Sequence, residues 1–266
     1  MEKNNILQKY KKEEDRLLIS KLLDKIQAVE KQNKIQNTDF LSPVELIILE
    51  KILNLINYKN YIVYGGNNNS QRKTIILYPI KLENIFLENK FDYNTICNCI
   101  RIANIDESLE HKVILGGIIK LGVKREKIGD IIIYDKGADI IVNKEITKFL
   151  LSNLNQLTRF KNANIEVVDI SETVSKEQEF KDMKIIVSSL RLDSIVAELA
   201  KTSRSKAIEI LNQERVFINY ENEVKNTKLI KETDIITIRG KGKFIVEEIV
   251  GNTRSGRFII NIKQYI

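Results

Sequence analysis

The chain has 266 residues, of which 43% are hydrophobic and 30% charged, and this composition suits a globular protein with two or three packed domains. Its apolar runs fall short of the roughly 20 residues that span a bilayer, and the charged start MEKNNILQKYKKEEDR lacks the apolar segment of a secretion signal. We therefore predict a cytoplasmic protein with no membrane partner.

Basic residues concentrate at the two ends of the chain. Lys and Arg exceed Asp and Glu by 4 in residues 1–79 and by 5 in residues 183–266, whereas residues 80–182 carry a net charge of −2. A basic segment attached to an acidic one is typical of a polyanion-binding module on a scaffold, although excesses of this size also occur on plain soluble surfaces. We predict three domains with these boundaries: 1–79, 80–182 and 183–266.

The first segment is predicted to be mainly helical. Apolar residues at positions 18, 22, 26 and 29 form one stripe on a helix over about residues 13–32. A second helix begins at SPVE, where Ser42 is the cap and Pro43 takes the first helical position. The turn GGNNNSQRKT then joins two strands. It resembles the end of a phosphate-binding loop, but Arg72 replaces the required glycine and a strand follows instead of a helix, so we predict a basic hairpin.

The middle segment follows the order β-α-β-β-α-β of ferredoxin-like folds, which RNA-recognition motifs share. Its strands CNCIRIAN and ADIIVN carry no aromatic residues, so base stacking on this sheet is not expected. The loop LGVKREKIGD could contact a phosphate backbone or could be a solvated turn. Cys97 and Cys99 lie on one face of a strand, where we predict reduced, buried thiols and no metal site.

The last segment begins with two short helices. Apolar positions predict a helix from about Arg191 to Ala200, and Ser203 is a good N-cap for a second helix that ends near Gln213. Arg204 and Lys206 lie at the start of that second helix, where backbone N–H groups favour an anion. A strand and a β-meander with basic turns follow.

These residues carry a resemblance. RLDSIVAELAKTSRSKAIEILNQERVFIN followed by DIITIRGKGKF resembles the RNA-binding domain of ribosomal protein S-four, also called the alpha-L motif. Together with TDFLSP, the GG...RK turn and LGGIIKLGVKREKIGDI, it makes most of the chain similar to the YlmH family of bacterial RNA-binding proteins. Members of that family usually have glycine where Glu214 stands and in the turn at Tyr220. Their hairpin usually reads Gly-Gly-Tyr-x-x-Ala-Glu-Arg-Lys, which residues 65–73 do not match.

The resemblance implies an α+β protein with three domains: an N-terminal helical domain, a central ferredoxin-like domain and a C-terminal alpha-L domain with a β-meander. It also implies a non-catalytic protein that binds rRNA, and possibly tRNA, on the large ribosomal subunit in the quality control of stalled nascent chains. We predict no cofactor, no small-molecule substrate and a monomeric state.

The predicted RNA-binding residues share positive or polar side chains near turns of the last segment: Arg191, Ser203, Arg204, Ser205, Lys206, Arg215, Asn219, Lys228, Arg239, Lys241 and Lys243. Possible secondary contacts come from the basic hairpin and the middle loop: Arg72, Lys73, Lys124, Arg125 and Lys127.

Two alternatives stay open. The first is an RNA-modifying enzyme similar to a pseudouridine synthase, for which Asp130 and Asp106 are the nearest catalytic candidates, although neither stands in the expected Gly-Arg-Leu-Asp context. The sequence has no cofactor loop, nucleophile elbow or metal cluster, and His111 is more typical of a capping or packing residue than of a base. The second alternative is a protein-binding adaptor that docks through the apolar stripe of the first helix.

Overall fold

A computed structural model describes residues 3–67, 69–105, 110–174 and 179–266. The chain divides into two compact units, Met1–Lys176 and Glu177–Ile266. The strand Phe180–Val187 pairs with Phe258–Tyr265, so it belongs to the second unit, and the predicted boundary at 182/183 falls inside this strand. The three-domain division stays a prediction.

The first unit is an α+β assembly with two separate sheets. Its helices are α1 (Lys3–Leu7), α2 (Glu13–Gln32), α3 (Pro43–Leu55), α4 (Glu83–Leu87), α5 (His111–Lys120) and α6 (Lys144–Asn153). Its strands are β1 (Gln36–Asn37), β2 (Tyr61–Tyr64), β3 (Thr74–Leu77), β4 (Cys97–Ala103), β5 (Ile128–Tyr134), β6 (Gly137–Asn143) and β7 (Asn164–Val168).

The predicted helices of the first segment are confirmed. The helix α2 has the predicted bounds, and its buried face contains Leu22, Ile26 and Val29 together with Ile19, while Leu18 is only partly buried. Ser42 and Glu45 form the predicted capping box at the start of α3, because each side chain bonds the backbone N–H of the other residue. Both helices share a core with the predicted hairpin strands β2 and β3, and β1 pairs with β3 to complete this small sheet.

The middle segment has the predicted element order β4-α5-β5-β6-α6-β7. Its strands form one antiparallel sheet in the order β5-β6-β4-β7, so the first and third strands of the segment are central. Cys97 and Cys99 are free and buried on the same face of β4, as predicted, and burial raises the pKa of each thiol to about 12.

The second unit contains α7 (Leu192–Ala200), α8 (Arg204–Asn212), β8 (Phe180–Val187), β9 (Val216–Ile218), β10 (Glu221–Asn222), β11 (Ile235–Ile238), β12 (Gly242–Asn252) and β13 (Phe258–Tyr265). The predicted helix pair and meander are therefore confirmed. The strands form a six-stranded antiparallel sheet in the order β10-β9-β11-β12-β13-β8. No helix in the described ranges of the chain is long and apolar enough to cross a membrane.

Alternation along the strands gives this sheet two different faces. Val216, Ile236 and Phe244 are buried in one core with Leu192 and Ile195 of α7. Successive strand residues point to opposite sides of a sheet, so the residues between these core positions face away from the two helices. The sheet therefore has an inner face covered by α7 and α8 and an outer face opposite them.

Two residues that stand where the YlmH resemblance leads us to expect glycine have left-handed backbone conformations. Glu214 follows the last turn of α8 with φ 56°, and Tyr220 lies in the β9–β10 turn with φ 68°. The Glu214 N–H donates to the carbonyl of Leu211, as at a helix C-terminus closed by a left-handed residue. Because only glycine adopts this conformation without a steric cost, the structure has a physical reason for glycine at both positions.

We expect Glu214→Gly to raise the free energy of unfolding of the second unit by about 1 kcal/mol, because it relieves the left-handed strain at the end of α8. Urea unfolding followed by circular dichroism measures the change. Glu214→Ala is the matched control, since it removes the same side chain but keeps the Cβ atom, and it should give no such gain. Equal stability of the glycine and alanine variants would contradict this explanation.

Candidate nucleic-acid interface

The starts of α7 and α8 meet at one buried carboxylate, that of Asp193. Arg191 donates from Nη2 to Oδ2 at 2.9 Å, and Arg204 donates from Nη2 to Oδ2 at 3.0 Å and to Oδ1 at 3.2 Å. The Asp193 side chain is 1% exposed, whereas those of Arg191 and Arg204 are 35% and 48% exposed. The carboxylate thus holds two predicted RNA-binding arginines together, with part of each side chain in solvent.

Burial and pairing act in opposite directions on this carboxyl. Burial alone raises the pKa of Asp193, but the hydrogen bonds and charges of Arg191 and Arg204 outweigh it and lower the pKa below its ordinary value. The same hydrogen bond to Asp193 raises the pKa of Arg191. One anion and two cations leave this group with a net charge of +1, so it can still attract a phosphate.

The start of α8 adds polar groups beside this pair. Ser203 caps the helix by accepting a hydrogen bond from the Lys206 N–H at 3.2 Å, so its oxygen is an acceptor in the fold. Lys206 pairs with Glu209 at 2.6 Å on the exposed helix surface. Ser205 is also exposed. The start of α7 is different, because its first N–H groups donate to the carbonyls of Asn226 and Lys228 in the following loop.

A second group of predicted residues lies at the β11–β12 turn. Arg215 donates from Nη2 to the Arg239 carbonyl at 2.9 Å, and the Arg239 guanidinium lies 4.8 Å from the centre of the Phe217 ring. Lys241 is exposed in the same turn. The helix α8 connects the two groups, because the Asp193 group lies at its start and Arg215 follows its end. Since α8 has nine residues at about 1.5 Å per residue, its two ends are about 14 Å apart.

Lys243 is held between two tyrosines. Its Nζ donates to the Tyr220 hydroxyl at 2.8 Å and lies 4.6 Å and 4.3 Å from the ring centres of Tyr220 and Tyr265. Burial lowers the pKa of Lys243. The cation is therefore part of an aromatic cluster and does not extend into solvent as its place near a basic turn of the sequence suggested.

Asn219 and Lys228 have roles in the fold. The Asn219 amide donates to Asp234 at 2.8 Å and accepts from the Ile235 N–H at 2.9 Å, which closes the turn after β9. The Lys228 carbonyl accepts from Leu192, and its Nζ lies 4.0 Å from Glu223.

The possible secondary contacts lie in the first unit, and most of their donors are used within it. Arg72 donates to the carbonyls of Phe40 and Ile128, while the backbone N–H groups of Gln71 and Arg72 donate to the Asp130 carboxylate at 2.6 and 3.0 Å. Burial lowers the pKa of Arg72. This arrangement fastens the hairpin turn to the start of β5.

The remaining secondary residues differ in exposure. Arg125 donates to the carbonyls of Ile128 and Gly129, and Lys127 pairs with Asp39 and Glu145. Lys73 is half-buried, with its backbone paired to Leu41, and Lys124 is exposed. Of this set, Lys124 is the residue whose side chain the structure places most openly in solvent.

Catalytic candidates from the sequence have other surroundings. Asp130 accepts the two backbone N–H groups of the hairpin turn, and Asp106 lies outside the described residues. His111 is the first residue of α5, where burial and then the charge of Arg125 lower its pKa. Within the described ranges no cluster of three His, Cys, Asp or Glu residues could hold a metal ion.

Sequence reasoning missed two features of this surface. It gave no role to Asp193, although the spacing Arg-Leu-Asp before a helix put a carboxylate beside two cations. It also gave no role to Phe217, Tyr220 and Tyr265, whose rings contact Arg239 and Lys243. Period-two alternation along the strands could have placed Phe217 opposite the core, but the partners of these rings depend on strand register.

Fold and site together define an α+β protein whose C-terminal unit holds two arginines on a buried carboxylate and carries further cations at a sheet turn. A family model described as "Putative RNA-binding domain in YlmH" matches residues 89–173, the segment that contains Lys124, Arg125 and Lys127. The chain is 27% identical over 261 residues to "Ribosome-associated protein quality control protein P2" from Bacillus subtilis (strain 168), in an alignment that covers 98% of this chain and 99% of the relative. The middle segment is thus similar to the RNA-binding domain described for YlmH, and nearly the whole chain is similar to the Bacillus subtilis protein.

A solved structure of "Cell division protein ylmH from Streptococcus pneumoniae" is 20% identical in sequence and aligns with a TM-score of 0.46. The alignment covers 62% of this chain and 98% of that one.

We expect Asp193→Asn to lower the free energy of unfolding of the second unit by about 2 kcal/mol at pH 7, because hydrogen bonds to a charged acceptor are lost. The pKa of Asp193 is lower in the folded than in the unfolded chain, so its stabilisation is present above the unfolded value of about 3.9 and is lost as the pH falls further. The difference between parent and variant should therefore shrink in acid.

Urea unfolding at pH 7 and near pH 2.5 tests this expectation. Glu209→Gln is the control in the same unit, because it breaks an exposed ion pair and should cost less than about 0.5 kcal/mol. A difference for Asp193→Asn that stays constant with pH would show that the carboxylate charge contributes nothing.

Proposed function

We propose that this protein binds RNA in association with the ribosome and carries out no chemistry on it. The observation that carries the proposal is the pair of partly exposed arginine side chains whose guanidinium groups bond Asp193 at the starts of two adjacent helices. An arginine whose planar fork is already oriented loses less rotational freedom when it binds a phosphate than a free side chain does. Arg191 and Arg204 would therefore position an RNA backbone while Lys206 adds charge.

The two similarities support this proposal from different parts of the chain. The matched family model is named for RNA binding and covers the middle segment, and the relative that matches nearly the whole chain is named for ribosome-associated quality control. The middle segment would then be a ferredoxin-like domain, which its sheet order supports, and the second unit an alpha-L domain with a meander. RNA contacts by the middle segment would come first from Lys124.

More specifically, we propose rRNA of the large subunit as the binding partner, with tRNA as a possible second contact. The protein would act as a monomer in the cytoplasm without a cofactor. Phosphate contacts fix the orientation of a protein on RNA without reading its sequence, and the site residues of the helix pair are suited to that role. The RNA-modifying enzyme is the competing class.

Removal of Arg204 and Lys206 should weaken RNA binding. We expect Arg204→Ala with Lys206→Ala to cost about 2 kcal/mol in affinity for ribosomal RNA, because two phosphate contacts are lost. If about five phosphates are neutralised, the parent should show a slope of log affinity against log salt of roughly −3 to −4, and the variant should lose roughly 1.5 of that slope. Filter binding or fluorescence anisotropy at several salt concentrations gives both quantities.

The matched control is Lys21→Ala with Lys31→Ala, which removes two exposed cations from α2 in the other unit. It should leave affinity and slope unchanged. Circular dichroism must show that both double variants are folded, since Arg204 also pairs with Asp193. A folded Arg204/Lys206 variant that binds like the parent would exclude the helix pair as an RNA contact.

The absence of chemistry is tested in cells. We expect mass spectrometry of ribosomal and transfer RNA from strains with and without the gene to show the same set of modified nucleotides, because Asp130 is bound by backbone N–H groups of the hairpin. One modification that disappears with the gene, and returns with the parent chain but not with Asp130→Asn, would establish the enzyme instead.

A further inference from the structure

One row of side chains crosses the outer face of the second unit's sheet. Strand register places Asn222 of β10 opposite Phe217 of β9, Phe217 opposite Thr237 of β11, and Thr237 opposite Lys243 of β12. Lys243 contacts the ring of Tyr265 on β13, which is opposite Phe180 of β8. The row therefore extends over six strands and contains three rings beside polar or basic groups.

The rings of this row form two groups, and in each group a cation lies over a ring. At one group, the Arg239 guanidinium lies over Phe217 at 4.8 Å. At the other, Lys243 lies 4.3 Å from the ring centre of Tyr265, and Phe180 meets that ring edge-on with centres 5.1 Å apart. Phe180 is 38% exposed, so part of its ring is open to a ligand from solvent.

The separation of the two groups follows from the sheet. Phe217 and Tyr265 lie on β9 and β13, which are three strand spacings apart in the order β9-β11-β12-β13. At about 4.8 Å per spacing the two rings are about 14 Å apart across the strands. This distance leaves room for separate bases along one nucleic-acid strand, as on the sheets of RNA-recognition motifs, where two or three bases stack on aromatic residues.

Charge favours a nucleic acid over a protein as the occupant of this face. Arg215 and Lys241 adjoin the Phe217 group, whereas Lys263, on the same face of β13 as Tyr265, is paired with Glu247. Residues 183–266 carry a net charge of +5. Partly exposed rings beside cations match the two parts of a nucleotide, because a base stacks on a ring or guanidinium plane while its phosphate pairs with a cation.

We propose that the outer face of this sheet is a stacking platform for unpaired bases of RNA. Phe217 with Arg239 forms one stacking position, and Tyr265 with Phe180 forms the other. The inference rests on the proposed RNA-binding function and adds the class of RNA, a single-stranded segment, that the protein takes. The helix pair on the inner side of the sheet contacts phosphates, whereas this face contacts bases.

The test compares two RNA probes on the full chain: a labelled oligouridylate of about ten nucleotides and a blunt duplex of about twenty base pairs. The double variant Phe217→Leu with Tyr265→Leu should weaken binding of the oligouridylate about 10- to 100-fold, because aliphatic side chains offer no stacking surface. Binding of the duplex and the salt slope should stay unchanged, since no cation is removed.

Two controls match the double variant. Phe149→Leu changes a ring that is 45% exposed on α6 of the other unit and should alter neither affinity. Phe217→Tyr with Tyr265→Phe keeps both rings and should retain binding of the oligouridylate. Thermal unfolding of every variant shows whether the sheet is intact.

The outcomes separate this inference from the function on which it rests. If the parent chain binds the oligouridylate and the folded leucine variant binds it equally well, the platform is wrong and RNA binding stands. A parent chain that binds the duplex but not the oligouridylate would likewise overturn the platform and leave RNA binding in place. If the parent binds neither probe nor ribosomal RNA, the proposed function fails as well.

Crosslinking to the unaltered chain gives a result that does not depend on how the variants fold. Oligouridylate containing 4-thiouridine, irradiated with the parent protein and analysed by mass spectrometry of peptides, should attach to peptides that contain Phe217, Tyr265 or Phe180. Crosslinks confined to peptides of α7 and α8 would overturn the platform.

Discussion

The C-terminal unit depends on one buried carboxylate that two arginines keep ionised. Asp193 is almost fully buried at the start of α7, where an unpaired charge would be costly. Arg191 and Arg204 offset this cost by pairing with the carboxylate. The pairing with Arg204 also links the start of α8 to the start of α7. The loop carbonyls of Asn226 and Lys228 accept from the first N–H groups of α7. One ion cluster thus links the starts of two helices and orients two cations.

The same pairing explains how two arginines can contact a ligand although both are already paired with Asp193. A buried ion pair adds little net stability, because desolvation offsets most of the attraction. What it provides here is orientation, since each arginine side chain stays partly in solvent while its guanidinium is bonded to Asp193. A comparable principle operates in the first unit, where Asp130 holds two backbone N–H groups of the hairpin turn, although Arg72 uses its donors on carbonyls. The Asp193 cluster leaves two arginine side chains partly in solvent, whereas Arg72 donates to carbonyls of its own unit.

Local signals in the sequence were sufficient for most elements. The capping box at Ser42, the cap at Ser203 and the apolar stripe of α2 depend on residues within a few turns of each other, so their spacing predicts the structure. The roles of individual cations depend on partners far away in sequence. Arg72 contacts a carbonyl 56 residues away, and Lys243 contacts a tyrosine 23 residues away. Residue type showed that these side chains are basic, but only the folded chain shows which of them have bonding partners within the protein.

The strained turns of the second unit show how binding groups and stability compete. Tyr220 adopts a left-handed conformation that glycine would take without cost, yet its ring and hydroxyl contact Lys243, and a glycine there would lose both contacts. Glu214 has the same strain, and the hydrogen bonds that close its turn come from backbone atoms that any residue supplies. The strain at Tyr220 is therefore offset by a contact within the aromatic cluster of the outer face, whereas no contact of the Glu214 side chain is needed to close its turn. This difference ties the departure from glycine at Tyr220 to the outer face of the sheet, and it leaves Glu214 as a position where the fold would accept glycine.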